Sequence, residues 1–164
     1  MGHIYKTIYE ITTDEEYAGA GAFDPDTSTD LYVRYHYSSW EEVKASNGEL
    51  VQELADNFRM FPGGVKADQD EEGRWYLEFT QGNIDCYFRN MYSRFVEAVA
   101  ALDQVPESGM KDWCPALDNV NEIYSDDSGN MILEAEDGWM TPQEFMRFVE
   151  PGTRYYLCGA LDVY

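Results

Sequence analysis

Residues 67–80 read ADQDEEGRWYLEFT, and the fold turns on how this stretch is understood. Asp68, Asp70, Glu71 and Glu72 crowd Gly73, and a run rich in aromatic residues, Trp75 to Phe79, follows at once. As a calcium loop of the EF-hand kind it would join two helices. As a tight turn it would be the tip of a β-hairpin. The EF-hand loop needs oxygen ligands at its first, third and fifth places, glycine at the sixth and a bidentate glutamate at the twelfth. Counted from Asp68, the sequence supplies Asp68, Asp70, Glu72 and Gly73, but the twelfth residue is Phe79. Glu78 comes one place early, and in an extended chain one place turns a side chain to the opposite face. No helical periodicity flanks the stretch. Acids in the turn, a glycine free to adopt positive φ, and β-formers after it make a hairpin recipe.

A second stretch echoes the first. Residues 126–134, DDSGNMILE, repeat the Asp, Gly, Leu and Glu of residues 70–78, DEEGRWYLE, as Asp126, Gly129, Leu133 and Glu134. The same chemistry predicts a second hairpin there, by recurrence of turn residues rather than by duplication of a unit.

Outward from these turns, residues 3–12 and 31–38 are rich in Ile, Tyr, Val and Thr and predict strands, and 153–163 predicts a closing strand. Residues 13–30, TDEEYAGAGAFDPDTSTD, have the composition of a long loop. Ser39 with Glu42, and Ser46 with Glu49, match capping boxes, and Asn47-Gly48 lies between them. That pattern predicts two helices, near 39–45 and 47–60. Ile84, Phe88, Met91, Phe95, Ala98 and Leu102 recur at helical spacing, so 83–103 is expected to form the central core helix. Thr141, Pro142 and Glu144 open a short helix over 142–149. The expected fold class is α+β: one acidic domain over 1–164, a mostly antiparallel sheet with hairpins, and three to four helices.

Charge is the most informative bulk property. Among 164 residues, 32 Asp and Glu face 11 Lys and Arg, a formal net charge of −21. Residues 1–60, 61–110 and 111–164 carry −8, −5 and −8, so the acid runs through the fold instead of forming a tail. Such a charge excludes direct binding of nucleic acid or an anionic membrane through a basic face, and it favours basic partners. No apolar run approaches a membrane span, and the first 16 residues lack a secretory signal pattern, which leads to a cytoplasmic expectation. Cys86, Cys114 and Cys158 are odd in number and widely spaced, as for reduced thiols outside any disulfide framework or zinc site.

Catalytic chemistry finds no motif. His3 and His36 are the only histidines, both on predicted strands, and no nucleophile elbow, metalloprotease helix, P-loop or dinucleotide fingerprint occurs. Residues 19–23, GAGAF, lack a lysine and lie among acids that would repel phosphate. Cys114, followed by Pro115, has no histidine near it in sequence to activate its thiol. The expectation is therefore a non-enzymatic protein without cofactor or metal. Its partner would be a basic protein, a nucleic-acid-binding enzyme whose groove the acids occupy in place of DNA. Inhibitors of restriction or CRISPR nucleases carried by phage and mobile elements have this general character. The expected contact residues are Asp68, Asp70, Glu71, Glu72, Asp126, Asp127, Glu136 and Asp137, with Asp24, Asp26 and Asp30 as a second group on the 13–30 segment. The alternative is an adaptor or accessory domain that meets its partner through an aromatic patch, its acidity serving solubility as in halophile proteins.

Overall fold

The longest strand, β7 (Arg154–Val163), is the spine on which the rest of the sheet is assembled. A computed structural model describes residues 6–20, 31–33, 40–58, 64–125, 131–135 and 138–163. One edge of β7 pairs antiparallel with β1 (Lys6–Thr12). Its other edge takes β4 (Trp75–Glu78) along Arg154–Tyr156 and β2 (Leu31–Val33) along Leu161–Val163. Beyond β4 lies β3 (Lys66–Gln69). Beyond β1 lie β5 (Met131–Ala135), the parallel neighbour, and β6 (Gly138–Met140), which returns from β5 as a hairpin. The order is β3-β4-β7-β1-β5-β6, with β2 beside β7, and every pairing except β1–β5 is antiparallel.

Alternation along the strands separates two faces, as the period of two requires. Tyr9, Ile11, Leu77, Tyr155 and Leu157 point to the main core. There they meet Leu50, Val51, Leu54, Ala55 and Phe58 of α2 (Trp40–Asn57), Phe145 and Met146 of α5 (Pro142–Phe148) and Tyr87 of α3 (Gln81–Leu102). Phe79 sits among Phe58, Phe145 and Tyr155 with ring centroids 5.4–6.2 Å apart and steep interplanar angles, the edge-to-face geometry that aromatic quadrupoles favour. The opposite face carries a smaller cluster, Tyr76, Tyr156 and Cys158, covered by Ala18 of α1 (Glu15–Ala20). The α+β class, the antiparallel character of the sheet and the helices at 81–102 and 142–148 match the sequence expectation. Both of these helices begin with a reciprocal capping box, Thr80 with Asn83 and Thr141 with Glu144. Within α3 it is the first half that enters the core, through Asn83, Ile84, Tyr87, Phe88 and Met91.

Three local expectations are corrected. The 13–30 segment is not loop throughout, because Glu15–Ala20 is helical; Asp14 caps it by accepting from Glu16 N at 2.8 Å. Asn47-Gly48 does not divide two helices but lies inside one, α2. The Asn47 amide donates to the carbonyls of Leu157 and Cys158 at 3.2 and 3.5 Å. Those carbonyls sit at the β-bulge where Glu10 faces Gly159 and Ile11 faces Leu157, so a strand irregularity is satisfied from the helix above it. Gly48 is a close approach: a Cβ there would come within 2.8 Å of the Trp75 indole. Finally, the segment before Asp126 is a helix, α4 (Trp113–Ser125), not a strand. Residues 126–130 therefore connect α4 to β5, and the echo of the 70–78 motif does not mark a second strand-turn-strand unit. Between α3 and α4 runs a 3-10 turn, Glu107–Asp112.

Candidate functional site, an acidic corner around Arg74

The ADQDEEGRW stretch is a hairpin tip. Gln69 pairs with Trp75, and the chain reverses through Asp70–Arg74 with bonds of 3.0 Å from Asp70 N to Arg74 O and from Gly73 N to Asp70 O. Gly73 has φ of 80°, the conformation glycine adopts without a Cβ penalty. Asp70 organises the turn from within. Its Oδ1 accepts from the backbone of Glu72 and Arg74, both at 2.9 Å, and its Oδ2 takes the Arg74 Nε at 2.6 Å. The Asp70 side chain is only 5% exposed. Burial works against its charge, but the hydrogen bonds from the Arg74 and Glu72 backbones and the Arg74 guanidinium outweigh it and hold the carboxyl below its usual range. Arg74 is raised in turn, first by its bond to Asp70.

These contacts set the four acids of the turn apart from one another. Asp70 is committed inside the turn. Glu72 lies 3.4 Å from Arg74 Nη1 yet remains 74% exposed. Asp68 is exposed and lies 3.9 Å from Lys66, and Glu71 is exposed at the tip. A calcium reading has no geometric support, since the Asp70 lone pairs are turned to N–H donors. No group of three or more His, Cys, Asp or Glu able to hold a metal ion occurs among the described residues.

Arg74 also reaches across to the start of α1, 59 residues earlier in the chain. Its Nη1 donates to Glu15 O at 2.9 Å, and its Nη2 lies 3.5 Å from the Glu15 carboxylate. The guanidinium lies over the Tyr156 ring at 5.5 Å, and the Tyr156 hydroxyl donates to Glu15 Oε1 at 3.1 Å. One arginine thus ties two acidic segments, Asp14-Glu15-Glu16 and Asp70-Glu71-Glu72, into a single corner. Three carboxylates, Glu15, Asp70 and Glu72, meet one guanidinium there, and Asp14, Glu16 and Glu71 are their neighbours in sequence. Glu15 and Glu16 were not anticipated as site residues. The only sequence signal for them is an acid pair near the start of the 13–30 stretch, whose composition reads as loop.

The nearby cations lie against rings or carboxylates of the same sheet end. Lys66 lies 5.4 Å from the Tyr76 ring centre and 3.8 Å from Glu78; its hydrogen bond to Tyr76 is the largest influence raising its pKa. Arg154 stacks on the same ring at 4.6 Å. The result is a sheet end whose bases are laid on rings or paired with carboxylates, while the outer carboxylates of Asp68, Glu71, Glu72 and Glu16 face solvent. Asp126, Asp127, Glu136, Asp137, Asp24, Asp26 and Asp30 lie outside the described residues, as do His3 and His36. Of the thiols, Cys158 is buried, and burial pushes its pKa well up. Cys86 is half-buried and Cys114 is exposed. No helix among the described residues is long and apolar enough to cross a membrane. Comparison with protein-family models, curated proteins and solved structures finds no match for this chain.

Proposed function

We propose that this protein binds a basic protein surface and acts as a nucleic-acid mimic, blocking a nucleic-acid-binding enzyme of the restriction or CRISPR nuclease kind without catalysing a reaction itself. The observation that carries the reading is a charge of −21 distributed along the chain, with an acidic corner whose one arginine, Arg74, is bound to Asp70, Glu15 and Glu72. A field of that sign concentrates cationic partners and speeds their association, and it weakens steeply as salt rises. In this reading Arg74 and Asp70 fix the shape of the corner, while Asp68, Glu71, Glu72 and Glu16 make the contacts. Asp24, Asp26, Asp30, Asp126, Asp127, Glu136 and Asp137 are further contact residues in the same reading.

The test is displacement of labelled duplex DNA from a basic DNA-binding nuclease at low salt. The proposal requires displacement that collapses between about 0.05 and 0.3 M salt, as competition for a phosphate-binding groove must. Displacement indifferent to salt, or none from any basic nuclease tried, contradicts it.

A further inference from the structure

The strongest unexplained feature lies away from the corner, on the second half of α3. Tyr92, Val96 and Val99 are 69%, 44% and 40% exposed, although each is large and apolar. At 3.6 residues per turn these three fall within an arc of about 60° on one side of the helix. The core-facing Tyr87 and the buried Ala98 lie on another side. The spacing of four and then three is the seam pattern of helix-to-helix packing. Asp85 and Asp103 continue the same row at either end, both exposed, with Arg89 between Asp85 and Tyr92. Met110 of the 3-10 turn and Trp113 and Leu117 of α4, which packs against α3, are exposed as well. Solitary exposed apolar residues are ordinary, but a spaced row carrying a tyrosine, with further apolar residues on the neighbouring helix, marks an interaction surface.

Charge selects the occupant. A second copy would bring −21 against −21, a repulsion that acts before any apolar contact forms. From 81 to 125 the chain holds seven acids and three bases, and an aspartate stands at each end of the row. We infer that the Tyr92-Val96-Val99 face of α3 docks an amphipathic helix with basic flanks from the partner protein. The inference rests on the proposed basic partner and adds to it a contact that is apolar and resistant to salt.

The experiment titrates the whole protein with three synthetic peptides of about 18 residues at about 0.3 M salt, where bare charge attraction is largely screened. One peptide places leucines at alternating three- and four-residue spacing with lysines elsewhere. The second scrambles that composition, and the third replaces lysine by glutamate. The ordered Leu/Lys peptide is expected to bind at least about tenfold more tightly than either control, and Val96→Asp to remove about tenfold of that affinity. Glu71→Lys with Glu72→Lys should leave it unchanged at this salt. Equal binding of the ordered and scrambled peptides overturns the inference, as does equal binding of the acidic peptide. A dimer of the free protein that Val96→Asp dissociates also overturns it, because a second copy is then the occupant. Circular dichroism verifies the fold of Val96→Asp; should it fail to fold, Tyr92→Ser carries the same expectations. If hairpin charge reversal abolishes DNA displacement while Val96→Asp leaves peptide binding intact, the corner reading stands and the docking inference falls. If the Leu/Lys peptide binds through Val96 while no DNA is displaced, the mimic reading falls and the docking face stands.

Discussion

Asp70 and Arg74 carry more of the hairpin than their surface address suggests. A nearly buried carboxylate accepting two backbone N–H bonds and one guanidinium bond loses the charge assistance of all three when it is neutralised, and the bonds themselves when it is removed. Asp70→Asn is expected to cost about 2 kcal/mol at neutral pH, in the range for charge-assisted bonds. Because the folded pKa of Asp70 is depressed, its contribution is complete above its ordinary value near 3.8 and disappears as pH falls through the lower folded value. Denaturation of wild type and Asp70→Asn should therefore differ at pH 7 and converge below about pH 4, whereas a gap that persists to pH 2 would contradict the assignment. Gly48 offers a second residue-scale test with the sign against habit. Gly→Ala inside a helix normally stabilises by about 1 kcal/mol, but here the added methyl meets the Trp75 indole. Gly48→Ala should destabilise by about 1–2 kcal/mol net, read as a lower urea midpoint. Neither residue was legible from sequence in this role. Asn-Gly is the common signature of a turn, and only the approach of β4 and the bulge in β7 reveal why both residues sit within a helix.

Elements with local signals were read well, and those governed by distant partners were not. The β3–β4 hairpin, α3 and α5 announce themselves through turn glycine, apolar periodicity and capping boxes, all of which act within a few residues. Thr141→Ala should accordingly cost about 1 kcal/mol, measured by thermal denaturation, because the Glu144 amide loses its cap at the start of a seven-residue helix. By contrast, α1 is six residues long and holds its place through Ala18 in the small cluster and through Arg74 bonding to Glu15. Such a helix has no stability of its own, and its sequence of Gly, Ala and acids reads as loop. The misreading of 126–134 has a related cause. Turn residues ahead of a β-forming run specify how a strand begins, not whether a helix or a strand precedes them. The parallel pairing of β1 with β5, across more than a hundred residues of chain, leaves no local trace either.

Across the whole molecule, the acidic corner was half visible: the 70–72 acids stood out, while their junction with 14–16 through Arg74 exists only in the fold. A net charge of −21 opposes compaction, so raising salt from about 0.01 to 0.5 M should raise the melting temperature through screening. A melting temperature indifferent to salt would mean that the repulsion is locally compensated. The central claim is that the corner, rather than charge at large, engages a basic partner. It is tested most directly by DNA displacement with two matched variants. One reverses Asp68, Glu71 and Glu72 to lysine at the hairpin; the other reverses Glu49, Glu53 and Asp56, exposed on α2, and changes net charge equally. The account predicts that the hairpin variant weakens displacement at least about tenfold more than the α2 variant at the same salt. Equal losses from the two would contradict it.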